Sequence, residues 1–441
     1  MDTLRADAVS AYGDVEGTTP TFDTLAASGH LYTRAYAPSP WTVPSHASLV
    51  TGMSIDAHGV GVNGRVVLPQ QAETLAERLG AAGYETAAFS ENALISAAFG
   101  FDQGFEHFSV RTAEEQMAAE QKLVIDVVDE LAHWLQSRDS ERPFFVFINL
   151  YDAHEPYEIR SENPFLPAGT TTADARRIRA GGRTSHLICD RLPAKGHLEI
   201  LQGLYLGEVA SADRKLKAIH ALLDDQSVSN LITVVTSDHG EHFGEYRLLD
   251  HEFSVRDEVL RIPLLVHHPD MEPATLAQPV ELRDVARALL GWAGADFAGI
   301  TTPGLEGIQE GAAQAPASLF ALYSDTRMQL PQAFDAASAQ QVRDFKRQGC
   351  SEADRVFGDM VAVTRYPFRL NWYENYPSEF FDLSRETGEP LGREARRPQL
   401  VATLEREAQQ FANRVGLGGK DAAEPLSPES EAALRSLGYI D

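Results

Sequence analysis

The stretch LITVVTSDHGEHFGE, residues Leu231 to Glu245, decides the fold. It begins with an apolar run through Thr236 that predicts a strand, and polar residues follow directly. A continuous apolar run indicates a strand that is buried on both faces, as in largely parallel sheets covered by helices. Ligands bind beyond the carboxyl ends of the strands in such sheets, so Asp238 and His239 are candidate functional residues.

A second stretch has the same arrangement. PFFVFINLYDAHEPY, residues 143–157, is an apolar run that ends in polar residues, with Asp152 and His154 at its carboxyl end. Carboxylate and imidazole groups at one sheet edge can face a divalent cation, and oxygen-rich sites suit Ca²⁺, Mg²⁺ or Mn²⁺. A strand followed by an acid, a His and a Gly is also what a plain β-turn looks like. One Asp-His pair supplies too few ligands to define a metal site.

The segment SPWTVPSHASLVTGM, Ser39 to Met53, predicts a proline-rich loop that leads into a short helix beginning near Ser45. Proline fixes its own φ and keeps the preceding residue extended, so Thr42 is predicted just ahead of the helix, with Ser45 as its cap. A helix N-terminus favours an anion, or a hydroxyl that loses its proton. Taken alone, the segment is better explained as an ordinary proline-rich turn with a helix cap.

Composition excludes several classes of partner. The chain has 441 residues and a formal charge of −26, which would repel nucleic acid and anionic membranes. An acidic surface with few lysines is typical of a high-salt proteome. Cys189 and Cys350 are too isolated to predict a disulfide framework or a zinc site. Without a signal peptide or a membrane-spanning apolar run, we expect a cytoplasmic protein.

The remaining patterns predict one large unit and one small unit. Amphipathic and apolar patterns predict helices at 72–83, 112–136 and 204–223, and strands at 85–90 and 260–269. A Gly- and Pro-containing linker is predicted at 304–316. Beyond it, aromatic and β-branched segments at 360–374 and 379–384 predict a small antiparallel sheet, followed by a helix at 398–415. We therefore predict a catalytic α/β unit at residues 1–315 and a C-terminal unit at residues 316–441.

Ordered motifs along nearly the whole chain resemble the sulfatase family of the alkaline phosphatase superfamily. In chain order they are DTLRAD (2–7), TPTFDTLAASG (19–29), APSPWTVPSHASLVTG (37–52), GYETAAF (83–89), LYDAHEPY (150–157), TSDHGEHFGE (236–245), FFDLSRETGEP (380–390) and LRSLGYID (434–441). Each motif alone is weak, but the ordered set is specific.

The resemblance implies a fold and a metal site. The fold would be a mixed, largely parallel sheet between helices, with a small C-terminal α+β subdomain carrying an antiparallel sheet. One divalent metal ion, Ca²⁺ by family and otherwise Mn²⁺ or Mg²⁺, would be held by Asp2, Asp238 and His239 together with the nucleophile. The second N-terminal position, often Asp in the family, is Thr3 here.

The nucleophile motif departs from the family pattern. Sulfatases carry Cys or Ser, any residue, Pro, Ser and Arg, and oxidise the Cys or Ser to formylglycine; here the aligned segment is TVPSH, from Thr42 to His46. A Thr cannot become that aldehyde, and no formylglycine is expected. The family's GKWH segment, whose Lys helps to bind sulfate, is replaced by Ser90, Glu91 and Asn92.

Thr42 can nevertheless act as a nucleophile. A hydroxyl bound to a divalent cation loses its proton readily and becomes a nucleophile that forms a covalent ester. A Thr sulfate ester lacks the elimination step that formylglycine provides, so phosphate or phosphonate esters suit it better than sulfate esters. By resemblance, His154 would touch the transferred group and His251 would lie near the leaving group, and His46 would hydrogen-bond Thr42 or the anion. The substrate is expected to be a small anionic ester.

Two further expectations follow from the departures. The alternative to a hydrolase is a catalytically degenerate relative that keeps the fold for binding, because the formylglycine site is lost. The family's apolar strand before the first Asp has no counterpart ahead of Asp2, so we expect that the true start lies upstream. If it does not, a frayed terminus would hold Asp2 poorly.

Overall fold

The computed structural model describes residues 1–111, 126–160, 162–182, 195–225, 228, 230–251, 253–268, 270–305, 318–324, 353–385, 390–391, 397–417 and 426–436. The helices are α1 (Pro20–Ala26), α2 (Thr42–Thr51), α3 (Ile55–His58), α4 (Leu75–Ala81), α5 (Val127–Ser137), α6 (Thr172–Gly182), α7 (Lys195–Asp225), α8 (Asp257–Leu260), α9 (Asp284–Trp292), α10 (Ala353–Val356), α11 (Pro398–Val415) and α12 (Pro428–Ser436). None of these described helices is both long and apolar enough to cross a bilayer.

The strands alternate with helices over most of the chain, as the predicted α/β class requires. They are β1 (His30–Tyr36), β2 (Glu85–Ser90), β3 (His107–Val110), β4 (Phe144–Asn149), β5 (Thr233–Thr236), β6 (His242–Phe243), β7 (Leu249–Asp250), β8 (Arg261–His267), β9 (Ala274–Leu276), β10 (Val280–Glu281), β11 (Leu319–Tyr323), β12 (Met360–Arg365), β13 (Phe368–Tyr373) and β14 (Glu379–Asp382).

Apart from the two-stranded sheet of β6 and β7, the described strands of the large unit form two sheets rather than the single sheet that the sequence predicts. One has the order β10-β1-β8-β5, with β9 also paired to β1, and is mixed because β8 runs antiparallel to both β1 and β5. The other is β3-β2-β4 and is parallel throughout. The mixed α/β fold class is therefore confirmed.

The first two residues connect the two sheets at their carboxyl ends. The amide of Asp2 donates to the carbonyl of Leu150, just after β4, over 2.8 Å. The ammonium group of Met1 donates to the carbonyl of Thr236, the last residue of β5, also over 2.8 Å. The two apolar stretches identified in the sequence, β4 and β5, thus end next to each other at the N-terminus of the chain. The terminal residues are held by backbone hydrogen bonds and are not frayed.

Local signals explain most of the element boundaries. Strand β2 and helix α11 begin and end where the sequence predicts them. Helix α4 begins at Leu75 rather than at residue 72, because Thr74 and Glu77 form a reciprocal capping box. Helix α7 begins at Lys195, nine residues before the predicted start at 204. Part of the predicted helix at 112–136, most of the linker at 304–316, and both cysteines lie outside the described residues.

The C-terminal strands form the predicted antiparallel sheet, in the order β11-β12-β13-β14. Helix α11 covers one face of it, where Phe411 and Leu404 pack with Val361 and Leu370 of the sheet. The proposed unit boundary at residues 315 and 316 lies outside the described residues and stays a prediction.

A buried ion pair joins this small sheet to the large unit. The guanidinium of Arg256 lies 2.6 Å from the carboxylate of Glu379 on β14, and the Tyr373 hydroxyl donates to the same carboxylate. The two ionic side chains are 5% and 12% exposed. Arg355 lies further from the same carboxylate, at 4.0 Å, so removing Arg256 would leave the buried charge only weakly compensated.

We predict that Arg256→Met lowers the free energy of unfolding by about 3 kcal/mol, because the buried Glu379 carboxylate would keep only the more distant cation of Arg355, 4.0 Å away. Urea unfolding followed by circular dichroism measures this change. The control is Arg435→Met, which removes an exposed ion pair to Glu431 and should change stability by less than about 0.5 kcal/mol. Equal effects of the two substitutions would contradict the prediction.

Candidate active site

The loop after β5 presents Asp238 and His239 in a fixed conformation. The Ser237 hydroxyl accepts a hydrogen bond from the Leu4 amide and donates to the carbonyl of His239, while the His239 amide donates to Asp238 Oδ1 over 2.9 Å. A Cβ at Gly240 would lie 2.0 Å from the backbone oxygen of Glu258. Only glycine therefore fits at the turn that follows the two candidate ligands.

Asp2 lies opposite this loop and is wholly buried. Its Oδ2 accepts a 2.6 Å hydrogen bond from the side-chain amide of Asn92, which follows β2. One ligand atom from each of Asp2, Asp238 and His239 lies within 4.8 Å of the others. The structure thus brings together three of the four predicted metal ligands in a buried cluster.

The polar contacts of this cluster fit a cation. Asp2 Oδ1 and Asp238 Oδ2 are buried, and neither has a hydrogen-bond partner among the described residues. His239 Nδ1 lies 3.0 Å from the carbonyl of Gly240 and must carry a proton to donate there. In the neutral ring, Nε2 then turns its lone pair toward Asp238 Oδ2, only 3.3 Å away. Two facing lone pairs repel, and a cation between them removes the repulsion.

Burial controls the protonation of these groups. It lowers the pKa of His239 to about 4, so the imidazole is neutral at pH 7. It also raises the pKa of Asp2 to about 8, with further help from the nearby Asp238 carboxylate. Without a metal ion, Asp2 therefore holds a proton at pH 7, because two close carboxylates cannot both be charged in a buried site.

Thr42 is the first residue of α2, which begins three residues earlier than the sequence predicts. Trp41 is the residue before the helix, and the Ser45 hydroxyl donates to the carbonyl of Ser39 instead of capping the helix. The reason is that Pro44 lies within the first turn, where a missing N–H costs nothing. The buried Thr42 hydroxyl lies 3.4 Å from His239 Nε2, so it faces the metal cluster from the N-terminus of the helix.

His46 lies one turn further along α2. Its Nδ1 is 2.9 Å from the carbonyl of Thr42, rather than its hydroxyl, and 3.6 Å from Asp238 Oδ2. Its Nε2 is 3.4 Å from the side-chain amide of Asn149, and its ring stands edge-on to Phe101 and Phe147. Burial lowers the pKa of His46. These contacts fit a neutral ring that holds the first turn of α2 in place.

His154 and His251 lie beside His239. The rings of His239 and His251 are 4.4 Å apart and those of His154 and His251 are 5.3 Å apart. His154 Nδ1 lies 2.6 Å from the carbonyl of Glu155, so the ring is fixed, and burial lowers its pKa to about 3. A neutral ring with the proton on Nδ1 offers Nε2 as an acceptor, which suits a cation better than an anion. All seven residues predicted for the site thus lie in one region.

Comparison with known proteins establishes the family. The sequence model of the Sulfatase family matches residues 1–295. The chain belongs to the sulfatase family. An arylsulfatase of Clostridium perfringens is 23% identical over 365 residues, which are 69% of this chain and 74% of the relative. A Δ4,5-hexuronate-2-O-sulfatase of Bacteroides thetaiotaomicron is 23% identical over 300 residues, 62% of this chain and 61% of the relative.

Solved structures agree on the sulfatase fold. The phosphonate monoester hydrolase of Agrobacterium radiobacter superposes with a TM-score of 0.68 at 19% identity, covering 94% of each chain. The protein is thus an ester hydrolase of the sulfatase family, and sulfatases depend on a metal ion. The buried cluster offers this sulfatase-family chain the groups that could bind one.

The orientation of Thr3 and the roles of two asparagines were not predicted from the sequence. Thr3 replaces the expected second Asp, has a φ of 51°, and donates its hydroxyl to the carbonyl of Ala153, which turns it away from the cluster. Asn92 and Asn149, which hold Asp2 and His46, follow or end strands β2 and β4. The position at a strand end that identified Asp238 would have identified these asparagines as well.

Metal affinity should rise with pH. Below about pH 8 the metal-free protein holds a proton on Asp2, and a cation must displace it, so each pH unit gained should tighten binding by up to about tenfold. Calorimetric titration with Mn²⁺ in two buffers of different ionisation enthalpy should show proton release at pH 7. Asp2→Asn is the control and should release fewer protons when it is titrated with Mn²⁺. Equal heats in both buffers for the wild-type protein would contradict the prediction.

Proposed function

We propose that this protein hydrolyses phosphate diesters or phosphonate monoesters, with Thr42 as the nucleophile. The observation that carries the proposal is the position of the Thr42 hydroxyl, buried at the N-terminus of α2 and 3.4 Å from His239 Nε2. The hydroxyl, Asp2, Asp238 and His239 would together hold the metal ion. Family membership favours Ca²⁺ as that ion, and the imidazole ligand is also compatible with Mn²⁺.

A bound divalent cation would lower the pKa of the Thr42 hydroxyl and offset charge on the substrate. Thr42 Oγ1 then forms a bond to phosphorus, the bond from phosphorus to the leaving oxygen breaks, and the hydroxyl proton passes to solvent. The leaving oxygen takes a proton from solvent. Water next attacks the same phosphorus, the bond to Thr42 Oγ1 breaks, and Thr42 regains its proton.

The neighbouring residues hold the nucleophile in position. His46 fixes the first turn of α2 through the carbonyl of Thr42, and Asn149 orients the His46 ring. The backbone N–H groups of this turn, near the positive end of the helix dipole, favour the negative charge that develops on Thr42 Oγ1. Holding the nucleophile in this position raises its effective molarity toward the substrate. This increase accounts for much of the expected rate enhancement over the uncatalysed reaction.

The chemistry of the Thr42 nucleophile favours phosphorus esters over sulfate esters as substrates. Formylglycine releases sulfate by eliminating it from a hydrate, and Thr42 has no second hydroxyl for that step. A Thr phosphate or phosphonate ester is instead open to attack by water at phosphorus. The fold also occurs in phosphonate monoester hydrolases of Agrobacterium radiobacter and Silicibacter pomeroyi, which supports phosphorus chemistry on this scaffold.

The proposal predicts a substrate order and a mutational effect. Bis(p-nitrophenyl) phosphate and p-nitrophenyl phenylphosphonate should be turned over faster than p-nitrophenyl sulfate. Thr42→Ala should lower kcat roughly 10³-fold or more, because it removes the attacking atom. Release of p-nitrophenol in steady state, with a saturating divalent metal ion, measures both effects.

Thr51→Ala is the matched control. Thr51 is also buried in α2, but its hydroxyl donates to the carbonyl of Ala47, away from the cluster. This variant should stay within a few fold of wild-type activity. Equal activity of Thr42→Ala and wild type would overturn the nucleophile assignment, and a preference for the sulfate ester would overturn the substrate class.

A further inference from the structure

A buried ion network adjoins the metal cluster and has no part in the chemistry proposed above. The ammonium group of Lys215, on α7, lies 2.6 Å from Glu91 Oε1 and 2.7 Å from Asp152 Oδ2. Glu91 follows β2, in the segment that replaces the family's GKWH, and Asp152 follows β4. The Lys215 side chain is 24% exposed and each carboxylate side chain is 3% exposed. One cation thus joins the loops at the carboxyl ends of two strands.

The Lys215 ammonium group keeps its charge in this environment. Burial alone would lower the pKa of Lys215, but the Asp152 and Glu91 carboxylates outweigh burial and raise the pKa. Arg160 lies 3.9 Å from Asp152 and pairs more closely with Glu208, at 2.7 Å. Among the ion pairs of the described residues, Lys215 is therefore the cation nearest to both carboxylates.

The first branch of the network leads to Asp2. The residue after Glu91 is Asn92, whose side-chain amide donates to Asp2 Oδ2 over 2.6 Å. Glu91 Oε2 accepts a 2.9 Å hydrogen bond from the Tyr151 amide, in the loop after β4. The carbonyl of Leu150 accepts the amide of Asp2 in that same loop. Both loops that Lys215 joins are therefore hydrogen-bonded to Asp2.

The second branch leads to Asp238. The residue after Asp152 is Ala153, whose carbonyl accepts the Thr3 hydroxyl over 2.7 Å. The Thr3 amide donates to Asp238 Oδ1 over 3.1 Å. Thr3 has a φ of 51°, which is unusual for a residue with a side chain, so the surrounding contacts must hold it there. A displacement of Asp152 would thus reach Asp238 through two hydrogen bonds.

We propose that Lys215 is a positioning residue for the metal site, which holds the carboxylates of Asp2 and Asp238 at the separation that a divalent cation needs. It acts on Asp2 through Glu91 and on Asp238 through Asp152. Without the ammonium group, Glu91 and Asp152 would be two buried carboxylates with no cation between them. Their repulsion would move the two loops apart, and the two metal ligands would move with the loops.

Helix α7 is a fixed support for this role. Ten residues before Lys215, the Tyr205 hydroxyl donates to the carbonyl of Thr3 over 2.9 Å and accepts the Arg5 amide over 2.8 Å. Ten residues of an α-helix span about 15 Å. The helix is therefore joined to the metal-binding region at two separate points, and Lys215 extends from a helix whose position is already fixed.

The direction of the effect separates positioning from simple electrostatics. A cation near a metal site repels the metal ion, so removing Lys215 would tighten metal binding if charge alone mattered. If Lys215 positions the ligands, its removal weakens metal binding instead. The inference rests on the proposed metal site and not on the nucleophilic role of Thr42. Metal affinity is measured without substrate, so full activity of Thr42→Ala would overturn the nucleophile and leave this test unaffected.

The experiment titrates metal-free protein with Mn²⁺ and follows the electron paramagnetic resonance signal of the free ion. Wild-type protein should bind one equivalent, and Lys215→Met should bind it about 10- to 100-fold more weakly, as is usual when a residue that orients metal ligands is lost. Lys215→Arg should stay within about threefold of wild type, since a guanidinium group can also contact two carboxylates. The control Lys217→Met removes an exposed lysine of the same helix and should leave the affinity unchanged.

Unchanged or tighter Mn²⁺ binding by Lys215→Met would overturn the positioning role. Circular dichroism checks that each variant is folded. If Lys215→Met does not fold, Lys215→Gln takes its place, because it keeps a hydrogen-bond donor without the charge, and it should also bind Mn²⁺ more weakly than wild type. Wild-type protein that binds no Mn²⁺ would contradict the metal site itself, and the positioning role with it.

Discussion

The constraint on which the rest of the structure depends is the burial of two carboxylates, Asp2 and Asp238, within one cluster. Two negative charges out of contact with water repel each other and lose their hydration. Fixed hydrogen-bond donors offset part of this cost. The side-chain amide of Asn92 donates to Asp2, and the backbone amides of Thr3 and His239 donate to Asp238. These donors leave one oxygen of each carboxylate for a cation.

This constraint explains why the site lies where two sheets meet. The carboxyl ends of β4 and β5 deliver Leu150 and Thr236, and the first two residues of the chain are hydrogen-bonded to both. Helix α2 then brings Thr42 against His239, and β6 and β7 bring Glu241 against His251. The candidate nucleophile and the candidate metal ligands thus share one buried region, as the proposed metal-assisted displacement at phosphorus would need.

The parts of the fold and of the site that follow a simple sequence pattern were predicted correctly. Apolar runs that end in Asp and His marked β4 and β5, and family order added Asp2 and Thr42. The start of α2 was misplaced, because a proline at its third position resembles a loop but is tolerated there. Asn92 and Asn149 were missed although they occupy strand ends. The approach of Glu241 to His251 depends on the pairing of His242 with Asp250, a tertiary register that no local pattern encodes. The separation into two sheets was likewise invisible in local patterns.

The central claim is that Thr42 carries the transferred group. Its most direct test is acid quenching of the enzyme during turnover of p-nitrophenyl phenylphosphonate, followed by peptide mapping with tandem mass spectrometry. The account predicts a phenylphosphonyl group on the peptide that contains Thr42, located on that side chain and absent from Thr42→Ala. Rapid turnover without any adduct on Thr42, or an adduct on another residue, would contradict it.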